Sequence, residues 1–437
     1  MSANKLLHQN DLQGCYPNSW YASGVDELPA QAALQESIQC DVCIIGGGFT
    51  GLSCALTLAE SGADVVLLEA HRMGWGASGR NGGQLGSGQR VEQDVLEQKY
   101  GADTANLLWQ LAQQSKQHVR ELICSHKIDC DYKPGIIHVD HKPAYSAATE
   151  EYVDKLRRHY NYEDIEFVDK LELRNRLGSE RYYSGSVDSG AGHLHPLRFA
   201  LGLAQAGLAR GVRVYENTEV SDYKSEALKV TVNTERGTVK ASKLMLACNG
   251  YLGALDSRVA SRVMPINNYI IATEKLDGAL AKSLIRDDMA VADSKFVVNY
   301  FRMSADNRLL FGGRESYGYQ FPEDIPSFVK SAMTEVFPQL QNTRIDYGWG
   351  GTLAITMNRM PYLQQLEKNV FSSSGYSGHG VGMATLAGKL CADAINDDAA
   401  NFNVMAGVSH RKFPGGVKMR SPLLKLGMLY YSLRDRW

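Results

Sequence analysis

Three glycines and one acid carry the spacing best suited to chemistry. In DVCIIGGGFTG, residues 41–51, an apolar strand runs directly into a glycine-rich turn that opens a helix. Gly46 allows the tight turn, Gly48 lets the backbone approach a pyrophosphate, and Gly51 permits close packing of helix on strand. The helix then offers its first N–H groups and positive dipole end to phosphate. Roughly twenty residues on, DVVLLEA supplies a second strand ending in Glu69, whose carboxylate is placed to accept hydrogen bonds from ribose hydroxyls. The pattern predicts a dinucleotide with an unphosphorylated adenosine ribose, and by itself admits NAD and FAD equally.

Other chemistry-bearing residues read as structural. Cys40 and Cys43 stand at a strand entrance with no second Cys/His pair near them, so buried thiols are expected, not a metal or redox site. His193 and His195 precede Pro196 without nearby ligand partners, and isolated Asp188 does not change that; turn packing is expected. No metal site is predicted. Candidate substrate contacts are Tyr300, Arg302, Arg314, Tyr317 and Trp349, in a segment whose alternating aromatic pattern suggests a sheet with one face on a cavity. Alternation puts Tyr300 and Arg302 on one strand face, one to lie along an aliphatic amine and the other to pair with a remote carboxylate. No residue is nominated as a catalytic base.

The elements that must position these residues form a doubly wound pattern that leaves and returns. Residues 91–128 read as helical, with Leu107, Leu108, Leu111 and Val119 near helical spacing, capping the nucleotide domain. At HLHPLRFALGLAQAGLARGVRVYENTEV the pattern resumes, with Pro196 in a first helical turn and Gly211 at a helix stop. Residues 230–239 read as a hairpin around Glu235-Arg236-Gly237, and KLMLACNG as a strand that delivers Asn249 and Gly250 at its carboxyl end. NVFSSSGYSGHGVGMATLAGKLCADAI gives strand, glycine loop and a second anion-receptive helix start. The predicted fold class is α/β (α+β overall): a discontinuous Rossmann-like domain over 1–95, 185–264 and 365–437, and an antiparallel-sheet substrate domain over 96–184 and 265–364.

With 437 residues, two domains are the default, and a formal net charge of -2 gives no broad field for nucleic acid or anionic membrane. No window supplies the roughly 20 apolar residues of a membrane span, and residues 1–39 lack the basic start and apolar run of a secretion signal. The cytoplasm is the simplest expectation. The tail from Phe413, with Leu423, Leu424, Leu426, Met428, Leu429, Tyr430 and Tyr431 among basic residues, could be amphipathic; docking on the protein's own surface is preferred to peripheral membrane contact.

The first motif, the RNGG loop, HLHP, the strand ending ACNG, and SGHGVG occur in this order over nearly the whole chain. Together they resemble the D-amino-acid oxidase family of FAD-dependent amine and amino-acid oxidoreductases. The resemblance implies FAD, with the second glycine loop closing over the flavin end. It places Gly46, Gly48 and Gly51 at the pyrophosphate and Glu69 at the adenosine ribose. Ser78, Arg80, Asn81, Gly82 and Gly83 would line phosphates and isoalloxazine, Arg80 offsetting phosphate charge. Val220 would meet adenine through its backbone, and Gly378, His379, Gly380 and Val381 would surround the pyrimidine edge. The strand segment YGWGGT, residues 347–352, has no cysteine where some members attach flavin, so noncovalent FAD is expected.

The implied chemistry is hydride transfer from the carbon bearing a neutral amine to flavin N5, then hydrolysis of the imine to aldehyde and ammonia, with molecular oxygen as the expected acceptor and hydrogen peroxide as its product. NSWYASG, GWGASGRNGGQ, FGGRESYG and YSGHGVGMATLAGK resemble members acting on γ-glutamylated amines such as γ-glutamylputrescine. Two alternatives stay open: a D-amino-acid or N-methyl-amino-acid dehydrogenase feeding a quinone, and a flavoprotein that matures another protein.

Overall fold

The computed structural model describes residues 5–416 apart from 317. Most of the tail discussed above, and Tyr317, lie outside the described residues. Two sheets organise the rest. In the first, apolar strands pair in parallel in the order Val370–Ser374, Thr238–Leu246, Ser37–Ile45, Val65–Leu68 and Arg213–Tyr215. Tyr362–Glu367 adds antiparallel at one edge. Val230–Thr234 pairs antiparallel with Thr238–Leu246, and Thr234 and Gly237 exchange hydrogen bonds across the turn, as the hairpin reading predicts.

Helices cover one face of this sheet because their apolar stripes fit it. Leu52 and Leu56 of Phe49–Glu60, Leu108 and Leu111 of Ala102–Ser125, Phe199 and Leu203 of Pro196–Ala209, and Leu386 and Leu390 of Gly380–Ile395 share one core. Full burial of each such side chain contributes about 2 kcal/mol. The predicted helical stretch is broken at Gly101 into Gln93–Tyr100 and Ala102–Ser125, and Leu107, counted on the apolar stripe, is instead exposed.

The second sheet runs Ile345–Ile355, Met264–Thr273, Leu309–Ser316, Tyr300–Met303, Ala290–Asp293, Lys133–Val139, Gly185–His193 and Gln84–Leu85. Its pairs are antiparallel except Ala290–Asp293 with Lys133–Val139. Strand Gly185–His193 thus pairs here, although the sequence reading counts it with the nucleotide domain: it runs beside Lys133–Val139 and Ile165–Val168 of the insertion as well as Gln84–Leu85, a tertiary fact. The outer face, with Ile137, Val291, Phe301, Phe311 and Ile271, is sealed by helix Ile325–Val336. The inner face, with Ile270, Leu310 and Trp349, looks toward the first sheet and packs on Tyr21 and Leu197.

Candidate active site

The carboxyl ends of the parallel strands open into a cavity of about 170 Å³ lined by Gly46, Gly48, Glu69, Ser78, Val220, Cys248, Asn249 and Trp75 among others. Gly46 has φ +111, and a Cβ there would stand 2.8 Å from the Ala247 carbonyl oxygen. Gly48 caps helix Phe49–Glu60 with no side-chain bond, leaving first-turn N–H groups for an incoming anion. One of them, Phe49 N–H, donates to Ser78 Oγ at 2.9 Å. Glu69 is enclosed and accepts from Gly47 N–H (2.6 Å) and His71 N–H (2.9 Å). This cradle fits the adenosine-diphosphate half of FAD.

Burial pushes the Glu69 carboxyl up to about 7 against the pull of those two N–H groups. Ribose hydroxyls donating to it favour the ionised form, so FAD binding is expected to release a proton and to weaken up to about tenfold per unit as pH falls below 7. The sign for folding is opposite. A carboxyl held above its usual 4.5 stabilises the ligand-free fold fully below that value and loses the contribution as pH rises through 7. FAD dissociation constants measured across this window should slope in the native protein and flatten in Glu69→Gln; a flat native profile would sink the assignment.

The loop that follows is tied into place from both sides. Asn81 Nδ2 donates to the Ala77 and Ser78 carbonyls, and its Oδ1 accepts from Gly83 N–H. A Cβ on Gly82 would lie 2.7 Å from the Tyr300 ring, so this loop and the second sheet are in contact. Arg80 is buried, stacks 4.4 Å over the Trp75 ring, and pairs with Asp11 at 2.8 Å. Its charge is therefore already partly matched; among the described residues Nη2 is buried without a partner, and it is the atom that would be left for a cofactor oxygen. Asp11 was not anticipated, since nothing in the polar N-terminal segment marks it as returning to this loop.

The second glycine loop would hold the other end of the cofactor. Asn249 Oδ1 accepts from Gly375 N–H, joining the two loops, while Gly250 packs on Thr352 and Leu353 instead of lining the cavity. A Cβ on Gly378 would meet nothing within 4 Å. His379 caps helix Gly380–Ile395, which buries Val381 in its first turn, without a side-chain bond. Burial lowers its imidazole to about 3, so it is neutral, and among the described residues Nδ1 has no partner. An orphaned nitrogen at an uncapped helix start suits the polar pyrimidine edge of a flavin.

Cys248 is the cysteine among the described lining residues, and burial holds its thiol at about 12. A thiol kept protonated is a poor nucleophile. Acid precipitation of the flavin-loaded protein is expected to leave all yellow flavin in the supernatant; colour retained in the pellet would show a covalent link.

The substrate candidates separate. Tyr300 and Arg302 share the inner face of their strand, while Phe301 and Met303 face outward. Tyr300 donates to Asn268 Oδ1 at 2.5 Å. Arg302 spends its donors on backbone: its guanidinium donates to the carbonyls of Gly82 (2.9 Å), Leu194 (3.0 Å) and Met303 (3.2 Å). This corrects its expected pairing with a substrate carboxylate, because the donors are already committed to backbone. Trp349 is likewise buried, its Nε1 donating to the Arg80 carbonyl at 3.1 Å, and supports the loop from behind.

Arg314 is displaced by an irregularity in pairing. Asn268 opposes Glu315 but Tyr269 opposes Gly313, so Arg314 is an extra residue with φ +61. A β-bulge of this kind re-aims side chains. Arg314 turns outward to Ser331 and Phe328, and Glu315 takes the inner position that simple alternation assigns to Arg314. Arg314 as a substrate contact is corrected on this ground. His193 and His195 are buried in packing, His193 Nε2 against the Asp288 carbonyl and His195 Nδ1 accepting from Arg198 N–H.

A family model described as DAO, FAD dependent oxidoreductase, matches residues 41–394. Gamma-glutamylputrescine oxidoreductase of Escherichia coli (strain K12) is 42% identical over 422 residues, 96% of this chain and 99% of that relative. A probable oxidoreductase, OrdL, of Rhizobium meliloti (strain 1021) is 40% identical over 96% of this chain and 97% of its own length. The crystal structure of glycine oxidase from Geobacillus kaustophilus shares the fold with a TM-score of 0.71 at 22% identity, over 82% of this chain and 95% of that one. The chain belongs to the DAO family of FAD-dependent oxidoreductases.

Proposed function

We propose that the protein oxidises the primary amine of γ-glutamylputrescine, or a similar γ-glutamylated amine, to the aldehyde. With water and molecular oxygen consumed, ammonia and hydrogen peroxide are released, so atoms and electrons balance. The observation that carries this reading is end-to-end similarity to the E. coli enzyme, 42% identity covering both chains almost completely. When bound, FAD supplies the two-electron oxidation. The chain supplies the rest: the inner sheet face orients the amine, and the helices and loops around it exclude water.

Mixing the yellow protein without oxygen with γ-glutamylputrescine, putrescine, sarcosine and D-alanine tests the reading. Rapid bleaching by the first, followed by about one peroxide per turnover when air returns, is expected. Bleaching by sarcosine or D-alanine alone would indicate an amino-acid dehydrogenase or oxidase, and bleaching by none of them would favour a role in maturing another protein.

A further inference from the structure

Residues 7–16 run beside the cofactor cavity, and their polar atoms fasten to the loop that walls it. Leu7 lines the cavity. Its carbonyl accepts from His71 Nε2 at 2.9 Å, while Gly14 N–H donates to His71 Nδ1 at 3.2 Å, so the imidazole is gripped at both nitrogens. Burial lowers this histidine to about 4, which keeps it neutral with its proton on Nε2. Gln13 Nε2 donates to the Ala70 carbonyl at 2.6 Å, and the Tyr16 hydroxyl donates to the Met73 carbonyl at 2.7 Å.

What this segment grips is a stack of three planar groups. The His71 and Trp75 rings lie 3.8 Å apart with their planes 3° from parallel, and the Arg80 guanidinium stands 4.4 Å from the Trp75 ring centre. Asp11 holds the arginine at 2.8 Å, as Leu7 and Gly14 hold the histidine. Trp75 is 3% exposed and lines the cavity, and among the described residues its Nε1 has no hydrogen-bond partner. A buried donor of this kind is costly unless a ligand supplies the acceptor.

The segment also crosses to the second sheet. Asn10 Nδ2 donates to the Tyr319 carbonyl at 2.8 Å, and its Oδ1 accepts from Phe321 N–H at 2.9 Å. Phe321 covers Gly350, where a Cβ would stand 2.7 Å from its ring, and the Gly350 carbonyl accepts from Arg80 Nη1 at 3.2 Å. Asn10, Asp11, Arg80, Gly350 and Phe321 thus close a ring of contacts that joins the cofactor loop to the sheet on the substrate side.

We propose that residues 7–16 are a strap that must lift for FAD to enter or leave, and that Trp75, held in place by the strap, donates its Nε1–H to an oxygen of the cofactor. Neither Asn10 nor Gln13 lines the cavity, so both act by keeping the strap closed and not by touching the ligand. Asp11 acts through Arg80 and is a positioning residue in the same sense. The assignment needs FAD but no particular amine, so it stands apart from the γ-glutamyl reading.

Flavin fluorescence regained on dilution of the holoenzyme measures release, and its loss when FAD is added back measures binding. Asn10→Ala removes two hydrogen bonds of the strap and is expected to speed release and binding alike, each roughly tenfold, with the dissociation constant near native. Gln13→Ala changes an exposed side chain that folding does not require, and should speed both roughly threefold. Trp75→Phe keeps an aromatic ring and removes only the donor. There release should quicken roughly tenfold at a native binding rate, so affinity falls by the same factor. Hydrogen exchange in Asn10→Ala holoenzyme should quicken at the Gly14 and Phe321 amides and stay native in strand Ser37–Ile45. Release that is native in both Asn10→Ala and Gln13→Ala, or that quickens only in step with a lower denaturant midpoint, overturns the strap. Native FAD affinity in Trp75→Phe overturns the donor assignment.

Discussion

Gly51→Ala protein is expected to be isolated colourless, with less than about a tenth of the native flavin content. A Cβ at residue 51 would sit 1.9 Å from the Gly46 carbonyl oxygen and 3.1 Å from its carbon, and neither is the end of a flexible side chain. The turn cannot retreat. Gly46 N–H is bonded to the Leu68 carbonyl at 2.9 Å, and Ala247 lies against its other side. Helix Phe49–Glu60 must therefore move off its strand, and the neighbouring helix, packed so closely that a Cβ on Gly388 would stand 2.3 Å from the Thr50 carbonyl oxygen, moves with it or clashes. Overpacking of this kind costs about 1–3 kcal/mol and more where backbone meets backbone. The larger effect is on binding, since the helix start is what would hold the pyrophosphate. Gly24→Ala, whose new Cβ would be 3.5 Å from its nearest neighbour, serves as the control. Native flavin content in Gly51→Ala would refute the role given to that contact.

The contrast between these glycines and the arginines shows what a linear reading can reach. Gly46, Gly48, Gly51 and Glu69 act through local backbone geometry within one strand-turn-helix-strand unit, so their places follow from spacing alone. The same holds for Pro196 at its helix start and for Tyr300 and Arg302 sharing a face. Arg314 was misplaced because a bulge is a property of two strands 46 residues apart in sequence at their bonded pair Asn268 and Arg314. Arg80 and Asp11 meet across 69 residues, beyond any periodicity.

The second large effect follows from where Arg302 spends its donors. Arg302→Met is expected to lower stability by about 3 kcal/mol and to strip flavin from the protein, with no selectivity among substrates. Only 3% of Arg302 is exposed, and its nitrogens hold the Gly82 and Leu194 carbonyls, which belong to the flavin-side loop and to the turn before helix Pro196–Ala209. Methionine fills much of the volume but leaves those carbonyls buried and unpaired. Some of the loss is offset because no isolated guanidinium then needs desolvating, which limits the figure. Freed from Arg302, Gly82 no longer holds the loop under Tyr300, and the cofactor cradle loosens as a unit. A denaturant midpoint and flavin content that both fall, with kcat/KM declining equally for γ-glutamylputrescine and N-acetylputrescine in whatever holoenzyme remains, would match this role. A selective rise in KM for the substrate that carries the carboxylate, at native stability, would return Arg302 to the substrate.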